Sequence, residues 1–148
     1  MTSRYDMGNM TKLASGKVTI NSATTTSFDF GTPDDINLAG LVTLGTSGAY
    51  APSDRLLVVL TASTGGTTDS ITWVIQDAPD SSGSIGSTAT AVTSAVAGAL
   101  AAGTGDDASA FGVLVQPGRP WIRVRVTSSG ATDTFVCHCS VYAVPNTL

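Results

Sequence analysis

The sequence predicts an all-β fold, an antiparallel β-sandwich of the jelly-roll or immunoglobulin-like kind, on three observations. Helix-favouring residues are scarce, apolar residues alternate with polar ones in short runs, and Gly- and Ser-rich turns separate those runs. About a quarter of the 148 residues are Ser or Thr, while Glu is absent and only seven residues are Lys or Arg. Glu, Lys and Arg keep most of their rotamer freedom in a helix. Thr and Val suit the half-buried pleated surface of a strand, and Gly, Ser and Asp form turns. The length fits a single domain, in which folding buries roughly 68–70% of the unfolded chain's surface.

The first period-two signal begins at Lys17, with Val18 and Ile20 on one side and Thr19 and Asn21 on the other. Phe28 and Phe30 predict a second strand, ended by the Gly31-Thr32-Pro33-Asp34-Asp35 turn cluster, and Leu41–Leu44 is a short apolar run. Arg55–Thr61 is the most apolar strand, and because residues of both parities are apolar it is expected to be covered on both faces. The turn at 63–68 is of the kind that joins antiparallel neighbours, so this strand and the next, with Ile71, Trp73 and Ile75 toward the core, read as a hairpin. Residues 77–87 read as a loop. Residues 88–102 are alanine-rich, but Thr, Val and two Gly resist a helix, so strand plus loop is favoured.

Phe111–Val115 predicts a strand. In the next, Ile122, Val124 and Val126 face the core and Trp121, Arg123 and Arg125 face out. The last runs to Val144 with Phe135, Cys137, Cys139 and Val141 on one side, and Pro145 closes it. About seven to nine strands with no βαβ rhythm predict a sandwich. No internal repeat or linker is evident. The domain is expected over 17–148, behind an extended N-terminal arm over 1–16 that has no steady period.

Signatures of chemistry are sparse. His138 is the only histidine and alternates with Cys137 and Cys139, so its imidazole points away from both thiols and no four-ligand zinc set can form. The cysteines, two apart on an extended strand, are poorly placed for a disulfide and read as buried free thiols. The Asp pairs at 34–35 and 106–107 and the Asp77–Asp80 loop lack a calcium-loop spacing and read as turn formers. No phosphate loop, dinucleotide fingerprint or nucleophile motif occurs, so no catalytic, cofactor or metal residue is nominated.

The formal net charge is −4 and the sequence pI about 4.5, which argues against a nucleic-acid grip through Lys and Arg. No apolar run reaches membrane-span length, and the first residues lack the apolar core of a secretory signal, so the chain is expected to be cytosolic when made. Arg4, Lys12 and Lys17 against Asp6 make the leader basic, and Met1, Met7 and Met10 make it adhesive. Trp and Arg are enriched at protein interfaces, so the row Trp121, Arg123, Arg125 is the most suggestive surface, with Asp133 a candidate partner for the arginines across the hairpin. A carbohydrate- or receptor-binding module of a tail fibre would show a row of exposed aromatics. Here Tyr50, Trp121 and Tyr142 are the candidates and make no row.

The order of Val18–Gly31, Asp54–Ser63, Asp69–Ser81, Arg119–Gly130 and Val141–Val144 resembles the Bordetella-phage-type capsid cement, or decoration, proteins of tailed bacteriophages, over residues 17 to 144. That resemblance implies a jelly-roll-like sandwich that assembles as a dimer or trimer on the outer surface of a phage head and bridges major capsid protein subunits. It carries no catalytic residues. The leader and the stretch 88–102 depart from the pattern. The interface residues nominated for that role are Arg4, Tyr5, Met7, Met10 and Lys12 in the leader, with Trp121, Arg123 and Arg125 on the sheet. No cofactor, nucleic acid or membrane partner is expected.

Overall fold

A computed structural model describes residues 10–28, 30, 36–37, 55–86, 90–91, 99–101 and 107–144. Over these residues the chain is all-β, and two antiparallel sheets face each other across one core. In the first sheet the order is β1 (Thr11–Ile20), β12 (Phe135–Val144), β4 (Arg55–Thr64), β10 (Asp107–Val115). In the second it is β2 (Thr25–Ser27), β11 (Trp121–Ser128), β5 (Ser70–Ala78), β8 (Thr90–Ala91). There β3 (Ile36–Asn37) also pairs with β11, and β9 (Ala99–Ala101) with β5. The pairings nest: β1 with β12, β2 with β11, β4 with β10, β5 with β9.

The core follows from alternation. Leu56, Val58, Leu60 and Ala62 of β4 and Phe135, Cys137, Cys139 and Val141 of β12 point inward from the first sheet. Ile71, Trp73 and Ile75 of β5 and Ile122, Val124 and Val126 of β11 meet them from the second. Each such aliphatic side chain, removed from water, stabilises the fold by about 1.5–3 kcal/mol. Phe28 stacks on Trp73, with ring centroids 6.0 Å apart. The expected inward faces of β5, β11 and β12 are those observed.

Four expectations are corrected. Strand β1 starts at Thr11, so residues 11–16 belong to the sheet rather than to an arm. The register shifts between Lys12 and Ala14, and this bulge at Leu13 interrupts the alternation that would have revealed the strand. Residues 1–9 lie outside the described residues. The second strand is Thr25–Ser27, ahead of Phe28; Phe28 is buried, and its N–H donates to the Val124 carbonyl at 2.9 Å.

Strands β4 and β5 do not pair. Their connection carries the chain from one sheet to the other, because β4 is flanked by β10 and β12 while β5 is flanked by β11 and the short β8 and β9. A turn sequence records the reversal of the chain but not the sheet it enters. Within the expected 77–87 loop, β6 (Asp80–Ser81) and β7 (Ser84–Ile85) form a tight hairpin. Ser82 and Gly83, at φ 55° and 85°, supply the two positive φ values such a turn requires. In the 88–102 stretch the described residues are the strand pairs β8 and β9, as favoured. Leu41–Leu44 and Pro145 lie outside the described residues.

Candidate interaction surface and the corners that hold it

The two sheets are tied at one end by two neighbouring corners. Corner one, residues 65–69, joins β4 to β5. Corner two, residues 129–134, joins β11 to β12. The Asp133 carboxylate accepts from the N–H groups of Thr68 and Asp69, both at 2.7 Å. The Asp69 carboxylate accepts in return from Thr132 and Asp133, at 2.7 and 2.9 Å. The exchange satisfies four backbone donors that the sheet ladders do not reach. Both aspartates are buried. The two N–H donors, Asp69 first, hold the Asp133 carboxyl below the ordinary carboxylate value, against the opposing effect of desolvation. A Cβ on Gly66 would overlap the Asp133 carboxyl, and one on Gly130 would overlap that of Asp69, so each carboxylate fills the space a glycine leaves in the opposite corner. Asp133 thus spends its carboxylate on the backbone of the opposite corner.

The local sequences repeat with the pattern hydroxyl-x-Gly-x-Thr-Asp: Thr64-Gly-Gly-Thr-Thr-Asp69 and Ser128-Ser-Gly-Ala-Thr-Asp133. The hydroxyl at the first position accepts from the glycine N–H two residues on in both, at 3.0 Å for Thr64 and Gly66 and 3.4 Å for Ser128 and Gly130. This six-residue repeat is a local signal, carried in the sequence, for the two corners.

At the opposite end of β5, buried Asp77 accepts from the Gly118 N–H at 2.8 Å and from Arg119 Nε at 2.7 Å. Arg119 also donates to the Asp77 carbonyl at 2.7 Å. Asp80 accepts from Trp121 Nε1 at 2.8 Å and from the Gly83 N–H at 3.1 Å. Those two bonds, the indole first, lower the Asp80 pKa.

Trp121 thus corrects the expected outward row: it is 2% exposed, with its indole engaged by Asp80. Its neighbour Ile122 is also buried, so alternation begins only after the first two residues of β11, where β3 pairs alongside. Arg123 and Arg125 do lie on the outer face of the second sheet, half-buried, and Arg125 Nε is enclosed without a hydrogen-bond partner. Of the leader residues nominated, Arg4, Tyr5 and Met7 lie outside the described residues, Met10 is half-buried just before β1, and Lys12 is exposed on β1. The two cysteines are free and buried, while His138 is exposed on the other side of β12. Burial raises both thiols, Cys137 to about 12.

The surface the sequence reading missed is the outer face of the first sheet. The register lays it out in four rows running β1, β12, β4, β10: Lys12-Tyr142-Leu57-Leu114, Ser15-Ser140-Val59-Gly112, Lys17-His138-Thr61-Ala110 and Thr19-Val136-Ser63-Ala108. Arg55 extends the β4 column. Leu114 is 52% exposed, and Leu57 and Val59 are half-buried, so the second apolar parity of β4 is not covered as expected. The β1 side is cationic. The β10 side is apolar and low, and shallow depressions run along His138 between the columns.

No protein-family model matches the chain, and no curated protein matches it. Among solved structures it is similar to a chain of the cyanophage Pam1 capsid asymmetric unit, at 17% identity over 93% of this chain and 86% of that one, with a TM-score of 0.40.

Proposed function

We propose that this chain is a structural virion protein, a cement or decoration protein that sits on the outer surface of a tailed-phage head and bridges neighbouring major capsid subunits. In this reading it assembles there as a dimer or trimer and has no catalytic role. The observation that carries the reading is the nested strand pairing of the sandwich, which supports a jelly roll, together with its open first-sheet face. The segments that resemble cement proteins fall on β1 and β2, β4, β5 with β6, β11 and β12, the strands that build both sheets. The described carboxylates Asp69, Asp77, Asp80 and Asp133 each hold backbone or side-chain donors at the ends of the sandwich, a use that is architectural. A broad, shallow face suits covering a neighbouring protein, and a lattice of such contacts gains strength by repetition.

The test is co-sedimentation of the purified chain with undecorated heads assembled from the major capsid protein of the same genome. Saturation at a copy number commensurate with the icosahedral lattice is the expected result. A folded chain that leaves the heads bare but binds a glycan would assign it to a receptor-binding part of the tail.

A further inference from the structure

We infer that the outer face of the first sheet, across Lys12, Lys17, Arg55, Tyr142, Leu57 and Leu114, is the docking surface, and that its occupant is an acidic, shallow protein surface presented many times over by the shell. This rests on the cement reading above and says which side of the sandwich meets the shell and what chemistry it meets there.

Charge sets this face apart from the rest of the chain. The chain as a whole carries −4. Yet among the described side chains this face holds Lys12, Lys17, Arg55 and the imidazole of His138 and no carboxylate, because Asp69, Asp77, Asp80 and Asp133 all sit in the corners and loops at the sheet ends. A locally cationic face on an acidic molecule orients it toward an acidic partner and turns its remaining surface away. Four basic groups on a net acidic chain are too few for a phosphate backbone, whose binding draws on many such contacts.

The other half of the face is apolar. Leu57 and Leu114 are cross-strand neighbours at the end of the face, beside Tyr142. Gly112 and the exposed Ala108 and Ala110 keep the β10 column low, so that a partner can approach the sheet closely. Among the described residues the opposite outer face carries no exposed large apolar side chain to match Leu114: Val74, Gln76, Arg123 and Arg125 are half-buried there and Thr72 is the exposed position.

The area of the face is small. Four strands about 4.8 Å apart and up to ten residues long make a face of about 30 by 19 Å, on the order of 600 Å². That lies below the roughly 800 Å² per partner of a stable free-standing interface. The face therefore suits a contact that holds because it is repeated across a lattice, rather than one that holds two copies of this chain together in solution.

The experiment compares the wild-type chain with Leu114→Glu, the double variant Lys12→Glu/Lys17→Glu, and Thr72→Glu, an exposed position on the outer face of the second sheet. All are bound to the same undecorated heads at several salt concentrations, after thermal melting has shown each to be folded. Leu114→Glu and the double Lys variant are expected to weaken binding about tenfold or more, the Lys variant also flattening the salt dependence, with Thr72→Glu unchanged. Wild-type affinity in both first-sheet variants, or a loss confined to Thr72→Glu, overturns the face assignment and leaves the cement reading standing. A wild-type chain that fails to bind heads removes both. Binding to duplex DNA or anionic vesicles that depends on Lys12 and Lys17 would give the face another class of partner and overturn the inference.

Discussion

Asp69 and Asp133 each accept the two backbone N–H groups that lead into the other: Thr68 and Asp69 donate to Asp133, and Thr132 and Asp133 donate to Asp69. The two corners they belong to connect opposite sheets, so this reciprocal contact ties the sandwich at the point where β4 lies beside β12 and β5 beside β11.

Replacing Asp69 by Ala leaves two N–H donors without acceptors. Hydrogen bonds to a charged acceptor contribute about 1.5–3 kcal/mol each, so denaturant unfolding is expected to show a loss of about 3 kcal/mol. Asp133→Ala is expected to destabilise in the same direction, and the double variant to lose less than the sum of the singles, because either change loosens both corners. Strict additivity would show that the two carboxylates act independently.

The glycines give a separate test. A methyl group at Gly66 or Gly130 meets the opposing carboxyl in a buried space, so Gly66→Ala and Gly130→Ala are each expected to cost about 1–3 kcal/mol. Gly83→Ala has open space around its Cβ, but its φ of 85° strains any L-residue. It is expected to cost less than either corner glycine, as read from thermal melting of the three variants side by side.

Acid should weaken the fold through Asp133 and Asp80, whose carboxyls are held below their ordinary value in the folded chain. A lowered folded-state pKa means that the unfolded chain binds the proton more tightly. Their contribution is therefore fully present above the unfolded value of about 3.9 and is lost as pH falls through the lower folded value. The melting temperature is expected to drop steadily on acidification below about pH 4. Asp133→Asn should reduce that slope, and an identical slope in the variant would show that other groups govern acid unfolding.

Cys137 and Cys139 are expected to resist thiol reagents in the native state. Burial both shields them and keeps them protonated at neutral pH, since Cys137 is pushed up to about 12 and Cys139 is raised further. Labelling at mildly alkaline pH should follow the rate of unfolding. A rapid native-state reaction of either thiol would contradict the packing of β12 described here.

Tertiary structure decided the candidate surface more than it decided the fold. Trp121, chosen from alternation with Arg123 and Arg125, is buried and donates its indole N–H to Asp80 of β6, a contact across 41 residues that no local pattern encodes. Lys12 was read as part of a leader because the bulge at Leu13 breaks the period at the start of β1. The corner repeat was legible in principle, as Thr-Gly-Gly-Thr-Thr-Asp and Ser-Ser-Gly-Ala-Thr-Asp, but its meaning depends on the two copies meeting across 64 residues.

The sequence by itself determined the all-β class, the inward faces of β5, β11 and β12, and the burial of the two cysteines against the exposure of His138. Each of these follows from period-two alternation within one strand, a local property of the backbone. Tertiary structure alone decided that β4 and β5 enter different sheets, that Asp69 and Asp133 hold one another's corners, and that Leu57 and Leu114 meet beside Tyr142 at the end of an open face. Those relations depend on which strands become neighbours, and that is set by how the whole apolar surface of both sheets can be buried at once.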